Sequence, residues 1–195
     1  MIHLLVALPA EAKPLIHAFN LRRLQPDGPF PRYVAGPLSL LLSGPGREAA
    51  GGAVEFSQQL TGDEQSHWIN VGIAGHARLA PGSGLLADSV TDVRSGRCWP
   101  LLPPRDLAGP TVGPLRCVAQ AESRFAEVAG YDMESAAIAE NLAESDALSR
   151  LQILKVISDN PDNPSQRINA KLVRELIESQ LPHIAALISR LQVHA

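Results

Sequence analysis

The chain has 195 residues, of which 45% are hydrophobic and 19% charged. That content is enough for a full core, so disorder and repeat arrays are excluded, and a single domain over residues 1–195 is expected. With 17 basic against 20 acidic residues the net charge is −3, without the basic excess on which binding to DNA, RNA or an anionic membrane surface draws.

The apolar start at Ile2–Leu8 has no cationic lead-in and stops at Pro9, so it reads as a first strand rather than a signal segment. Further runs at Leu38–Leu42, Trp68–Gly72, Leu115–Ala119 and Ile153–Ile157 have the continuous apolar character of strands buried on both faces. Between them, Arg47–Leu60, Met133–Leu142 and Ile168–Leu181 place apolar residues at three and four spacings, the pattern of helices packed by one side. Pro182 fits the first turn of a last helix, Pro182–Leu191, where its missing N–H costs nothing. Strands alternating with helices predict an α/β domain with a largely parallel central sheet. Arg78–Pro114 is punctuated by Pro81-Gly82, Pro100, Pro103-Pro104, Gly109-Pro110 and Gly113-Pro114. It reads as a chain of turns, with room for a short strand at Gly84–Val90. No run reaches the roughly 20 apolar residues of a membrane span.

Sheets of this class gather ligands beyond the carboxyl ends of their strands, so the residues after each apolar run are the site candidates. Glu11 follows the first strand, in what becomes a helix's first turn, where a carboxylate also complements the dipole. Ser43-Gly44-Pro45-Gly46-Arg47 follows the second; a glycine turn opening a helix, with a guanidinium beside it, is able to receive an anion. Asn70-Val71-Gly72-Ile73-Ala74-Gly75-His76 follows the third, its glycines serving either close approach to a ligand or a tight turn. Asp132-Met133-Glu134 opens an alanine-rich helix, and Ser158-Asp159 ends the last apolar run. Singly, each carboxylate has an ordinary role as a cap or dipole partner. Together, Glu11, Glu134 and Asp159 fall on the edge where such a sheet binds. The six histidines form no HxxxH pair, so no metal site is expected. Cys98 and Cys117 read as small buried hydrophobes in a reducing compartment.

These segments, taken in order, resemble the nucleoside phosphorylase superfamily, in particular its methylthioadenosine/S-adenosylhomocysteine nucleosidase branch. The resemblance rests on Ala7-Leu8-Pro9-Ala10-Glu11, Ser43-Gly44-Pro45-Gly46, Asn70 to Gly75, Asp132 to Ala137 and Ile157-Ser158-Asp159-Asn160. It implies a three-layer α/β/α domain with a largely parallel or mixed sheet, and cleavage of a purine N-glycosidic bond without a cofactor. On that pattern Asp159 would protonate or hydrogen-bond N7, Glu134 would hold the ribose hydroxyls, Met133 would pack on the sugar and Glu11 would activate water. Ile73, Ala74, Gly75 and Ser158 would line the pocket, and Phe125 would stack on the base. Phosphorylases of this superfamily take inorganic phosphate as co-substrate, here assigned to Gly44, Gly46 and Arg47; Ile73, which has no hydroxyl to offer phosphate, favours water instead. A non-catalytic nucleoside-binding protein is the third alternative. The resemblance also implies a homodimer or larger assembly, in the cytoplasm.

Overall fold

The structure is a computed structural model that describes residues 1–25, 28–61, 66–104 and 106–193. Its strands are β1 (Ile2–Val6), β2 (Arg22–Arg23), β3 (Arg32–Ala35), β4 (Leu38–Leu42), β5 (His67–His76), β6 (Gly84–Asp92), β7 (Cys98–Pro100), β8 (Thr111–Cys117), β9 (Gly130–Asp132) and β10 (Leu151–Asp159). The helices are α1 (Pro9–Ala18), α2 (Arg47–Thr61), α3 (Ser135–Glu144), α4 (Ala170–Ser179) and α5 (Leu181–Val193).

All the strands share one mixed sheet. β4, β1, β5 and β10 run parallel, in keeping with their largely apolar sequences. β10 then pairs antiparallel with β6, β6 parallel with β8, β8 parallel with β9, and β9 antiparallel with the far end of β5. That last pairing closes half of the sheet into a ring. Alternation along β1 decides the layers: Ile2, Leu4 and Val6 join α1, α4 and α5 on one face, while Leu5 joins α2 and α3 on the other. The expected three layers are therefore present.

α4 shows how locally these helices are specified. Asn169 caps it by accepting the N–H groups of Lys171 and Leu172, both at 3.0 Å, an arrangement worth about 1 kcal/mol. Its buried stripe of Val173, Leu176 and Ile177 contributes roughly 1.5–3 kcal/mol per side chain. No helix among the described residues is long and apolar enough to cross a membrane.

Two readings of the sequence need correction. Arg78–Pro114 is not a chain of turns with one short strand: the strand expected at Gly84–Val90 is present as β6, and β7 and the start of β8 join it; Arg105 within it lies outside the described residues. The prolines mislead because they sit where no ladder N–H is needed. Pro81 and Pro110 precede strands, Pro100 ends one, and Pro114 stands at the register shift between β6 and β8. Secondly, Cys98 is exposed on β7, while Cys117 is buried as expected.

Candidate active site

Glu11 is fixed before any ligand arrives. Placed in the first turn of α1, it accepts the N–H of Leu8 at 2.8 Å with one carboxylate oxygen and the N–H of Ile73 at 2.9 Å with the other. The second bond ties α1 to β5 across the sheet edge. Burial pushes its pKa above the ordinary glutamate value, against the opposing pull of the Ile73 N–H, the Lys155 ammonium and the Leu8 N–H.

Residues 73–76 do not form a turn after a strand: β5 continues through them to His76. The physical reason is that both flanks remain paired, with β10 on one side through Gly75 and with β9 on the other from Gly75 to His76. The glycines serve close approach inside a strand. A Cβ on Gly72 would lie 3.0 Å from Glu11 Oε1, and one on Gly75 would lie 3.0 Å from Asp159 Oδ2 and 2.7 Å from Phe125 Cε1. His76 is a buried turn cap whose Nδ1 accepts the N–H groups of Arg78 and Leu79, both at 2.9 Å.

Asp159 reaches the site through an irregularity. The β10–β5 register slips between Ile157 and Asp159, and bulges of this kind re-aim a side chain. Asp159 is 6% exposed. Its Oδ1 accepts the Ser158 hydroxyl at 2.5 Å. Burial raises its pKa above the ordinary aspartate value, opposed by that hydroxyl.

The α3 terminus is set from below by Asp132, which accepts the Ser135 N–H at 3.0 Å and the Ser135 hydroxyl at 2.5 Å. The helix starts at Ser135, so Met133 and Glu134 precede it and project from the junction. Glu134 accepts the N–H of Gly46 at 2.8 Å and that of Met133 at 3.3 Å. Beneath the cluster runs Lys155, which forms an ion pair of 2.8 Å with Asp132.

A cavity of about 290 Å³ gathers these groups. Of the residues picked out in the sequence, Glu11, Ile73, Ala74, Gly75, Met133, Glu134, Ser158 and Asp159 all line it. Phe125 is not among its lining residues: it adopts a left-handed φ of +45°, packs edge-on against Tyr131 at 5.5 Å and borders an adjoining space of about 60 Å³ together with Asp159 and Glu122. Tyr131 is the aromatic side chain among the lining residues. Gly44 also stands outside the cavity, while Gly46 and Arg47 border a neighbouring space of about 260 Å³. In the glycine turn, Gly44 and Gly46 have φ of +87° and +92°, conformations that favour glycine. Arg47 is held by Asp92 at 3.1 Å and Glu140 at 2.6 Å.

Sequence reasoning missed Lys155. The signal was present, since a lysine in the middle of a run buried on both faces must find a carboxylate partner. Tyr131 gave no comparable signal, because its position depends on the β5–β9 pairing.

The set is able to place one acid, one base and a fixed carboxylate around a small ligand in a largely apolar hollow. No family model matches the chain, and no curated protein sequence does. Solved structures do. The 5′-methylthioadenosine nucleosidase of Arabidopsis thaliana, in its apo form, superposes with a TM-score of 0.84 at 17% identity, over 97% of this chain and 95% of that one. The 5′-methylthioadenosine/S-adenosylhomocysteine nucleosidase of S. pneumoniae, bound to a transition-state inhibitor, gives 0.76 at 18% identity, over 94% and 96%. The futalosine hydrolase of Helicobacter pylori gives 0.78 at 15% identity, over 97% of each chain. The protein thus carries the fold of these two nucleosidases and of the futalosine hydrolase.

Proposed function

We propose that the protein hydrolyses the N-glycosidic bond of an adenosine-type purine nucleoside. The observation that carries this reading is the position of Asp159: a buried carboxyl, raised above its ordinary pKa, in one cavity with Glu11 and Glu134. Loss of a purine leaves an electron-poor sugar and an electron-rich base. A protonated Asp159 at N7 withdraws the glycosidic electrons and neutralises the leaving base as the bond breaks. Glu134 accepts hydrogen bonds from the ribose hydroxyls and fixes the sugar. Glu11 takes a proton from water as its oxygen bonds to the anomeric carbon. Met133 packs on the sugar, and Ile73, Ala74, Gly75 and Ser158 shape the pocket. Tyr131, against which Phe125 packs, offers an aromatic surface to the base.

Water is favoured over phosphate because the anion-binding groups are already engaged. The Gly46 N–H is donated to Glu134, and Arg47 is paired with two carboxylates. A cytoplasmic setting fits the two free cysteines.

The test is release of free base from adenosine and 5′-methylthioadenosine by the parent protein and by Asp159→Asn. The variant is expected to lose about 10²–10⁴-fold in kcat/KM, the range typical of a removed general acid, while adenine affinity, measured by calorimetry, stays within a few fold. A parent that binds adenine but turns over neither nucleoside would instead favour a nucleoside-binding protein.

A further inference from the structure

Lys155 is fully buried, and the reaction above gives it no task. An ammonium without water is expensive to keep, and it stands in the middle of the most enclosed strand, β10. It is surrounded by carboxylates. Asp132 on β9 lies 2.8 Å away, and Glu134 at the α3 terminus and Glu11 on α1 are close enough to act on its charge. A Cβ on Gly72 would lie 3.5 Å from Lys155 Nζ and 3.0 Å from Glu11 Oε1, which places ammonium and carboxylate on the same side of that glycine. The groups facing Glu11 are therefore the N–H of Leu8, the N–H of Ile73 on β5, Lys155 on β10 and Glu134, with Asp132 beyond and Asp159 sharing the cavity. Lys155 is the cation of that set.

We propose that Lys155 is a positioning residue that acts through Glu11, its buried ammonium keeping that carboxylate ionised so that it meets water as a base. This rests on the reading of Glu11 as the base. Without the ammonium, three carboxylates would share a dry site. The cheapest relief is a proton on Glu11, because burial already disfavours its charged form and Glu134 repels it. A protonated Glu11 has no basic oxygen to offer. The structural alternative, a buried lysine that merely pins Asp132 to β10, predicts no change in how Glu11 titrates.

The two roles separate in the pH dependence of Lys155→Met, with Lys155→Gln as a second neutral variant and Lys155→Arg as the conservative one. The Glu11 carboxyl is followed by carbon NMR in uniformly labelled protein, its signal assigned by loss in Glu11→Gln. In the neutral variants it is expected to titrate at least about one pH unit higher than in the parent, and the acidic limb of kcat/KM is expected to move up with it. Lys155→Arg is expected to restore both. A folded neutral variant in which Glu11 titrates as in the parent overturns the proposal, even if activity falls. The titration needs no turnover, so the outcomes can be told apart. A shifted Glu11 in a protein that cleaves no nucleoside supports the coupling and removes the nucleosidase reading, whereas an unshifted Glu11 in an active enzyme removes the coupling alone.

Discussion

Asp159 and Glu11 are both carboxyls that burial pushes above their ordinary values, yet the proposed reaction asks one to hold a proton and the other to lack it. Their surroundings differ in what opposes that push. The Ser158 hydroxyl is the one group opposing desolvation at Asp159, while Glu11 has two backbone N–H groups and the Lys155 ammonium. The proposed reaction requires those opposing groups to keep Glu11 ionised where Asp159 holds its proton, the separation by which one site holds an acid and a base together. A raised Asp159 pKa also has a stability consequence. The folded state prefers the protonated form, so this stabilising contribution is complete below the unfolded pKa, about 3.9, and is lost as pH rises through the folded value. Asp159→Asn removes the penalty, and it is expected to melt above the parent at pH 8, with the difference shrinking toward pH 4. Thermal unfolding at the two pH values checks this; an equal or lower melting temperature for the variant at pH 8 would contradict it. Glu11, Glu134 and Asp159 were legible because each follows an apolar run or opens a helix. The placing of Phe125 was not legible, because it depends on its own left-handed φ and on Tyr131 of β9, neither of which has a local signature.

Among the elements, β5 does most to assemble the site. It borders β1, β10 and β9, receives Glu11 at Ile73 and sets Gly75 against Asp159. Its apolar start at Trp68 was plain in the sequence, but its end was not. Two glycines beside small residues look like a turn unless the flanking strands are known to continue pairing. The same limit hid β7 and the start of β8 in Arg78–Pro114, where prolines mark strand margins rather than loops; only the strand at Gly84–Val90 was read there. Gly75→Ala tests the close approach directly. The new Cβ would meet Phe125 Cε1 at 2.7 Å and Asp159 Oδ2 at 3.0 Å, so overpacking is expected to cost about 1–3 kcal/mol. Displacement of Asp159 is expected to lower kcat more than it raises KM. Urea unfolding and steady-state kinetics measure the two effects; a variant with parental stability and kcat would show that neither contact is tight.

Over the whole molecule, the alternation of strands and helices foretold an α/β domain and the resemblance its three layers, but the closed half of the sheet lay beyond any local reading. The ring is completed by β9, three residues long, which brings Tyr131 and Asp132 beside the ends of β5 and β10. Closure thus places the α3 junction, with Glu134, opposite Asp159 across one hollow. The same packing turns the glycine loop after β4 toward Glu134 and engages Arg47 with β6 and α3. On the proposed reading, this hollow receives a sugar and a base, with water as the nucleophile. Turnover of 5′-methylthioadenosine in phosphate-free, oxygen-18-enriched water, with products resolved by mass spectrometry, tests that account most directly. Free adenine and a sugar carrying one heavy oxygen at its anomeric carbon are predicted, at a rate that added phosphate does not change. Cleavage only when phosphate is supplied, with a sugar 1-phosphate as product, would contradict it.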